Sequence, residues 1–363
     1  MPTEDLSERE IRVLEAVIQV YIETAEPAGS QTIVQRFPLG VSSATIRGTM
    51  SELEEKGYLY HPHTSAGRIP TDRAYRWYVD NLVRRSPPSP ADQQLLQAEL
   101  NPSRSALDEV LRRAAQVLGV LTQELGVAVA PALDQVVLER LDLVSVSPER
   151  LLLVFHLRSG AVRTIFVEVP GRMVGELIQR VAQTLNERLA GLTLLAIRTS
   201  LAERLRDAER SEGERELLNI FIEEGEEIFG LPGGPETVVL GSAQMLAVQP
   251  EFSTSGRIRD LLDLTERRDL LRQALTARRA RGLTITIGGE NSDARLAGFT
   301  LVTSSYRSGE LAGVIGVLGP TRMPYDKIIG LVDHTSRLVG RSHLWRSPYF
   351  WRWPPRRPPP AAK

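Results

Sequence analysis

Apolar positions recur with helical spacing at the start of the chain, and strand-like runs take over in its middle and again near its end. Ile11, Leu14, Ile18 and Tyr21–Ile22 form a first stripe that stops near Glu26-Pro27. Ser7 and Glu10 have the spacing of a capping box, and Leu6 is placed to staple the helix start. A short second helix is expected over about 30–37, with Ile33, Val34 and Phe37 inward, before Pro38-Leu39-Gly40 turns the chain. Ile46, Met50 and Leu53 then fall at i, i+4 and i+7 of a third helix. Ser42 or Ser43 can cap it, and Gly57 suits its C-terminal end. Its other side carries Ala44, Gly48 and Ser51, flanked by Thr45 and Arg47, all small or hydrogen-bonding. Such a face lets a helix approach a groove closely.

Tyr58, Leu59, Tyr60 and Ile69 favour strands, and Pro62, Thr64, Ser65 and Gly67 between them supply turn chemistry. A two-stranded ribbon with a basic tip, projecting His63 and Arg68, is the expectation. Thr71 or Asp72 caps a further helix bearing Tyr75, Trp77 and Tyr78, aromatics that either pack on a neighbouring domain or stack on unpaired bases. Ser86-Pro87-Pro88-Ser89-Pro90 reads as a non-helical linker. Leu107, Val110–Leu111, Ala114, Leu118, Leu121 and Leu125 give a helical stripe. Residues 136–146, 151–157 and 162–169 read as an antiparallel meander, and 172–189 as helix. The stretch 201–282 is dense in Glu and Arg and mostly helical, with a candidate strand at Val238–Leu240. Strands resume over 283–287, 299–304 and 310–318, and a helix over about 324–339 follows.

Helix, helix, tight turn, helix and ribbon, in that order, predict a winged helix-turn-helix, whose third helix enters the major groove of duplex DNA. Candidate DNA-contacting residues are Ser42, Ser43, Thr45, Arg47 and Ser51 from the helix, and His63, Thr64, Ser65, Gly67 and Arg68 from the wing. Charge agrees: residues 1–40 hold three Arg against seven acids, whereas 41–85 hold seven bases against five acids. The segments A-T-I-R (44–47), E-L-E-E-K-G-Y-L (52–59), P-H-T-S-A-G-R-I-P-T-D (62–72) and Y-R-W-Y-V-D (75–80) closely resemble the HrcA family of heat-inducible repressors. So do I-G-G-E-N (287–291) and G-V-L-G-P-T-R-M-P-Y (316–325). One departure is Gly48-Thr49, where the family usually has Asn-Asp.

The resemblance implies an α+β multidomain protein. Its parts would be a winged helix-turn-helix over 1–85, a GAF-like domain over 102–200 and 283–345, and a dimerisation insert over 201–282. The proline-marked segment 86–101 is read as a linker, and the basic Pro- and Trp-rich tail over 346–363, outside the family core, is expected to be disordered from its proline density. The resemblance further implies a homodimer that represses chaperonin and DnaK-type chaperone operons from a CIRCE inverted repeat, with the chaperonin as the partner that promotes its active form.

Composition narrows the remaining classes. The formal net charge is −1 with no cysteine, which leaves neither disulfides nor thiolate metal sites. The N-terminus is acidic without an apolar segment, and no apolar run approaches the roughly 18 residues of a membrane span, so a cytoplasmic location is expected. His61 and His63 lie two apart on the ribbon with no third metal ligand nearby, so phosphate is the better partner for them. Gly313, Gly316 and Gly319 lack dinucleotide-motif spacing. No catalytic signature, metal site or cofactor motif is visible, and an enzyme is not expected. Two other readings remain open: a GAF-type regulator with a ligand near Arg322, Tyr325 and Asp326, and an RNA-binding or scaffold protein using the aromatic helix and tail.

Overall fold

The structure is a computed structural model that describes residues 6–62, 67–83, 86–100, 107–131, 135–158, 162–171, 175–207, 211–230, 238–308 and 311–341. The chain begins with α1 (Glu8–Thr24), α2 (Ser30–Arg36) and α3 (Ser43–Glu55). The capping box forms: the Ser7 hydroxyl accepts from Glu10 N–H, and the Glu10 carboxylate accepts from Ser7 N–H at 2.7 Å. Ile33, Ile46, Met50 and Leu53 bury against Val13, Leu14, Val17 and Ile18 of α1 in one core. Gly57, at φ +75, ends α3. Its N–H donates to Glu54 O and that of Tyr58 to Leu53 O, both at 2.9 Å, which satisfies carbonyls the helix leaves open.

A ribbon follows, β1 (Leu59–Tyr60) paired antiparallel with β2 (Ile69–Pro70). Ala28, between α1 and α2, extends it by exchanging backbone hydrogen bonds with Arg68 at 2.9 and 3.0 Å. Gly67 permits this approach, because a Cβ there would lie 2.4 Å from the Ala28 carbonyl. Thr71 caps α4 (Asp72–Asn81) through the N–H of Ala74. Tyr75 is buried on α4 with its ring 5.9 Å from that of Tyr325, and Trp77 and Tyr78 pack against the core, so these aromatics join layers of the protein.

The expected linker 86–101 is partly helical. Ser89 caps α5 (Pro90–Glu99), with Pro90 in the first turn, where its missing N–H costs nothing. After α6 (Leu107–Thr122) the chain turns at Gln123, with φ +62, into β3 (Leu125–Val129). Spacing alone puts Leu125 on the helical stripe, because it lies four residues beyond Leu121. In fact it opens a strand buried on both faces, whose unbroken apolar run has no alternation to reveal it. Next come β4 (Leu138–Ser147), β5 (Arg150–Leu157), β6 (Val162–Glu168), α7 (Gly175–Leu189), α8 (Leu194–Leu205), α9 (Glu212–Glu223) and α10 (Gly225–Phe229). The chain then runs through β7 (Val238–Leu240), α11 (Gln244–Ala247), α12 (Ser255–Glu266), α13 (Arg268–Thr276), β8 (Thr284–Ile287), β9 (Thr300–Ser308), β10 (Leu311–Gly319) and α14 (Tyr325–Arg341).

Two separate sheets result. One has five antiparallel strands in the order β7-β3-β10-β9-β8, the other the meander β4-β5-β6. On the five-stranded sheet, Ala128, Val302, Ile315 and Val317 share a core with α6 and α14. Val127, Val129, Val314 and Leu318 meet Leu261, Leu264, Leu271 and Leu275 of α12 and α13 on its other face. The architecture is α+β, but its partition differs from the expected 102–200, 201–282 and 283–345. The meander does not share a sheet with the late strands, and residues 238–276 belong with those strands. The excursion from the five-stranded sheet runs from β3 to β7. A strand run does not encode which sheet it joins, since that depends on partners far along the chain. The tail 346–363 lies outside the described residues.

Two predictions follow from this packing. Gly67→Ala should destabilise by about 1–3 kcal/mol through the clash with Ala28, whereas Gly48→Ala, with open space around it, should be neutral or stabilising by up to about 1 kcal/mol; urea unfolding of both variants measures the contrast. The second concerns Glu124, buried between α6 and β3, whose carboxylate accepts from Gln249 Nε2 at 3.0 Å. Burial pushes this carboxyl well above its ordinary 4.5, and neither the Gln249 bond nor the charge of Arg322 offsets it. A raised folded value means stability that is full below the unfolded pKa and is lost as pH rises through the folded one. Glu124→Gln keeps the Gln249 contact without that loss, so its Tm relative to wild type should climb as pH rises above the ordinary carboxyl range. A Tm difference that stays flat with pH would contradict this.

Candidate nucleic-acid interface

The packing of α3 decides which of its residues are available. With Ile46, Met50 and Leu53 buried, Ala44, Arg47, Gly48 and Ser51 stand exposed on one face. Ser42 is the N-cap, its hydroxyl accepting from Thr45 N–H at 3.1 Å and lying 2.9 Å from the Thr45 hydroxyl. Ser43 turns toward α2 instead, its hydroxyl 2.9 Å from that of Ser30, and so ties the two helix starts together. No acid occupies the first turn of α3, and its free N–H groups and dipole favour an anion there. Thr49 is buried and donates to Thr45 O at 3.2 Å, while nothing lies within 4 Å of a Cβ built on Gly48. Of the departure at 48–49, therefore, only position 48 faces outward.

The wing residues divide. His63, Thr64 and Ser65 lie outside the described residues. Gly67 serves backbone approach to Ala28, as above. Arg68, expected to project from the ribbon, folds back instead. Its side chain is 12% exposed, and it pairs with Glu54 of α3 at 2.8 Å and contacts His61 Nε2. His61 Nδ1 lies 3.4 Å from the same Glu54 carboxylate. Arg68 therefore braces the ribbon against α3. The sequence pattern suggested projection because a residue beside a turn is usually exposed. Glu54, which draws Arg68 inward, sits 14 positions earlier on another element, where only the folded register brings the two together.

Together these parts border an open cleft of about 690 Å³, lined by Ala28, Gly29, Gln31, Thr32, Arg47 and Ser51, with His61 and Arg68 at its ribbon side. Gln31 and Thr32, both exposed on the first turn of α2, are polar donors that sequence reasoning overlooked. Their signal was present as G-S-Q-T at a helix start. Arg47 makes no ion pair among the described residues, whereas neighbouring bases are engaged: Lys56 with Glu10 at 2.8 Å, and Arg36 with Glu23. An exposed cation, a bare backbone position and a small hydroxyl thus share one face of α3 beside a polar cleft. No cluster of three or more metal-ligating side chains occurs among the described residues.

Comparisons with known proteins bear on what such a face serves. The family described as "HrcA protein C terminal domain" matches residues 108–329. A relative from Chlorobium phaeobacteroides (strain BS1), named heat-inducible transcription repressor HrcA, is 38% identical over 351 residues, covering 93% of this chain and 98% of its own. One from Pelotomaculum thermopropionicum with the same name is 34% identical over 335 residues, covering 92% and 95%. A solved structure described as a hypothetical protein shares the fold, with a TM-score of 0.65 and 23% identity over 95% of this chain and 98% of that chain. The family match spans more than half the sequence and the relatives nearly all of it: the chain belongs to the HrcA family of heat-inducible transcription repressors.

Proposed function

We propose that this repressor binds duplex DNA as a homodimer, through a winged helix-turn-helix formed by α1–α3 and the ribbon. Each protomer lays α3 in the major groove of one half of a CIRCE-type inverted repeat, upstream of chaperonin and DnaK-type chaperone operons. The chaperonin promotes its active form, and the setting is cytoplasmic. The observation that carries this reading is the exposed face of α3, where Arg47, which makes no ion pair among the described residues, projects between Ala44, Gly48 and Ser51. An arginine on such a face can reach guanine O6 and N7 with two parallel hydrogen bonds. Ser42 and Thr45 at the helix start, and Gln31 and Thr32 across the cleft, are placed for phosphate oxygens, which position the protein without reading sequence.

The dimer finds support on the outer face of the β4-β5-β6 sheet. Val144, Leu152 and Phe166 are cross-strand neighbours there, and Val144, Val146 and Phe166 are 48%, 56% and 46% exposed. Contiguous apolar residues on one sheet face mark a protein interface. The pairing unit in this reading is the meander with α7–α10, which begins well before residue 201. Repression that responds to chaperonin supply requires an active dimer in balance with inactive forms, so that anything binding one form shifts the population.

The deciding experiment is binding of the purified protein to chaperone promoter fragments, against scrambled duplex, with and without chaperonin. No preference for the inverted repeat would end the proposal. Arg47→Ala should weaken operator binding by about 1–3 kcal/mol while changing nonspecific binding less; an equal loss on both DNAs would make Arg47 a phosphate contact only. Phe166→Asp should shift the protein toward monomers in sedimentation velocity. A variant that stays dimeric places the pairing surface elsewhere.

A further inference from the structure

The unit formed by α1–α4 and the ribbon is held against the five-stranded sheet and its flanking segments by contacts from two of its helices, α4 and α1. On α4, the Arg76 guanidinium donates to both Glu290 carboxylate oxygens, at 2.7 and 2.6 Å, and to Ile285 O at 2.8 Å. One turn earlier, Asp72 accepts from Gly289 N–H at 2.9 Å. Gly288, at φ +53, makes that contact possible, since a Cβ there would come 1.9 Å from Asp72 Oδ2. Between these two polar attachments the Tyr75 ring is buried against Tyr325.

The other attachment lies at the end of α1. Ile22 O, one of the carbonyls left open at a helix C-terminus, accepts from Arg322 Nη1 at 2.7 Å. Arg322 is in turn held by the Glu251 carboxylate, with one contact at 3.0 Å. Burial acts upward on the Glu290 carboxyl, yet the bonds from Arg76 and from Ile287 N–H hold it below its ordinary range. Fixing a unit at two of its helices, with a ring contact between layers, removes both its tilt and its rotation.

We infer that this docking sets the distance and angle between the two α3 helices of a dimer, making Asp72, Arg76 and Arg322 positioning residues for half-site spacing. The inference rests on the proposed binding of an inverted repeat. Half-sites on duplex DNA are related by a fixed translation and rotation, so a base pair added between them displaces one site from a rigid reader in both respects. A rigidly docked pair of readers therefore accepts one spacing. A pair held only by its covalent tether accepts several, and binds each more weakly because the effective concentration of the second reader falls. No residue in the clamp touches DNA in this arrangement. It acts through the placement of α3.

The test uses full-length protein and an inverted-repeat duplex selected by the wild-type protein from a random pool. Arg76→Ala and Glu290→Ala break one attachment from opposite sides, so the outcome does not hang on the folding of a single variant. Arg76→Lys restores the charge. Affinity is measured for a single half-site, for the selected repeat, and for repeats with about two base pairs added to or removed from the spacer. Both alanine variants should bind the half-site as wild type does and bind the selected repeat about tenfold more weakly. Their preference for the selected spacing should also fall at least about tenfold, with partial recovery in Arg76→Lys. Unchanged spacing preference in either alanine variant overturns the inference. So does a parallel loss of half-site binding, which would mean that the contact supports α3 itself. A wild-type protein with no preference for any inverted repeat refutes the proposed function instead, and removes this inference with it.

Discussion

The burial of Ile46, Met50 and Leu53 against α1 is the contact from which the rest of the candidate interface follows. Each such side chain contributes roughly 1.5–3 kcal/mol when removed from water, so α3 has one strongly preferred rotation about its own axis. That rotation presents Arg47 and Gly48 outward and turns Thr49 into the core. The serine pair at the helix starts and the glycine end at position 57 then limit sliding along the axis. The exposed face of α3 is thus specified by what lies behind it.

Charge in this protein mostly fixes geometry. Net charge is close to zero, and most bases near α3 are committed to acids or carbonyls: Arg68 to Glu54, Lys56 to Glu10, Arg76 to Glu290, Arg73 to Lys56 O. Most of these pairs are only partly exposed, and each joins two different elements. Their effect is to hold the ribbon to α3 and α4 to the sheet. Arg47, outside this network and without an ion pair among the described residues, can meet an anion without first breaking a salt bridge there. Composition alone therefore conceals the candidate interface, which the distribution of committed and unpaired arginines among the described residues brings out.

Glycines mark where backbones must come close. Gly67 admits Ala28 into the ribbon, and Gly288 admits Asp72 to the sheet domain. Gly48 differs from both, since it has open space around it and meets nothing inside the chain. Three glycines that look alike in the sequence thus serve a strand pairing, a docking contact and an outward surface.

What was legible beforehand is local. The Ser7–Glu10 box, the cap and stripe of α3, the glycine end and the start of α4 all depend on residues within about one helical turn of each other, and each formed as read. Of the candidate site, the helix half was legible for the same reason, while the inward course of Arg68 was not. The meander shows the limit well. Along β6, Arg163, Ile165 and Val167 alternate with Val162, Thr164 and Phe166, and either set is apolar enough to face a core. The tertiary structure buries Arg163 over the Phe155 ring and leaves Phe166 outside. It likewise assigns β3 and β7 to one sheet and the strands between them to another. Such choices depend on energies shared with other elements, from the neighbouring strand β5 to strands more than a hundred residues along the chain, and a short window of sequence seldom contains both sides of each contact.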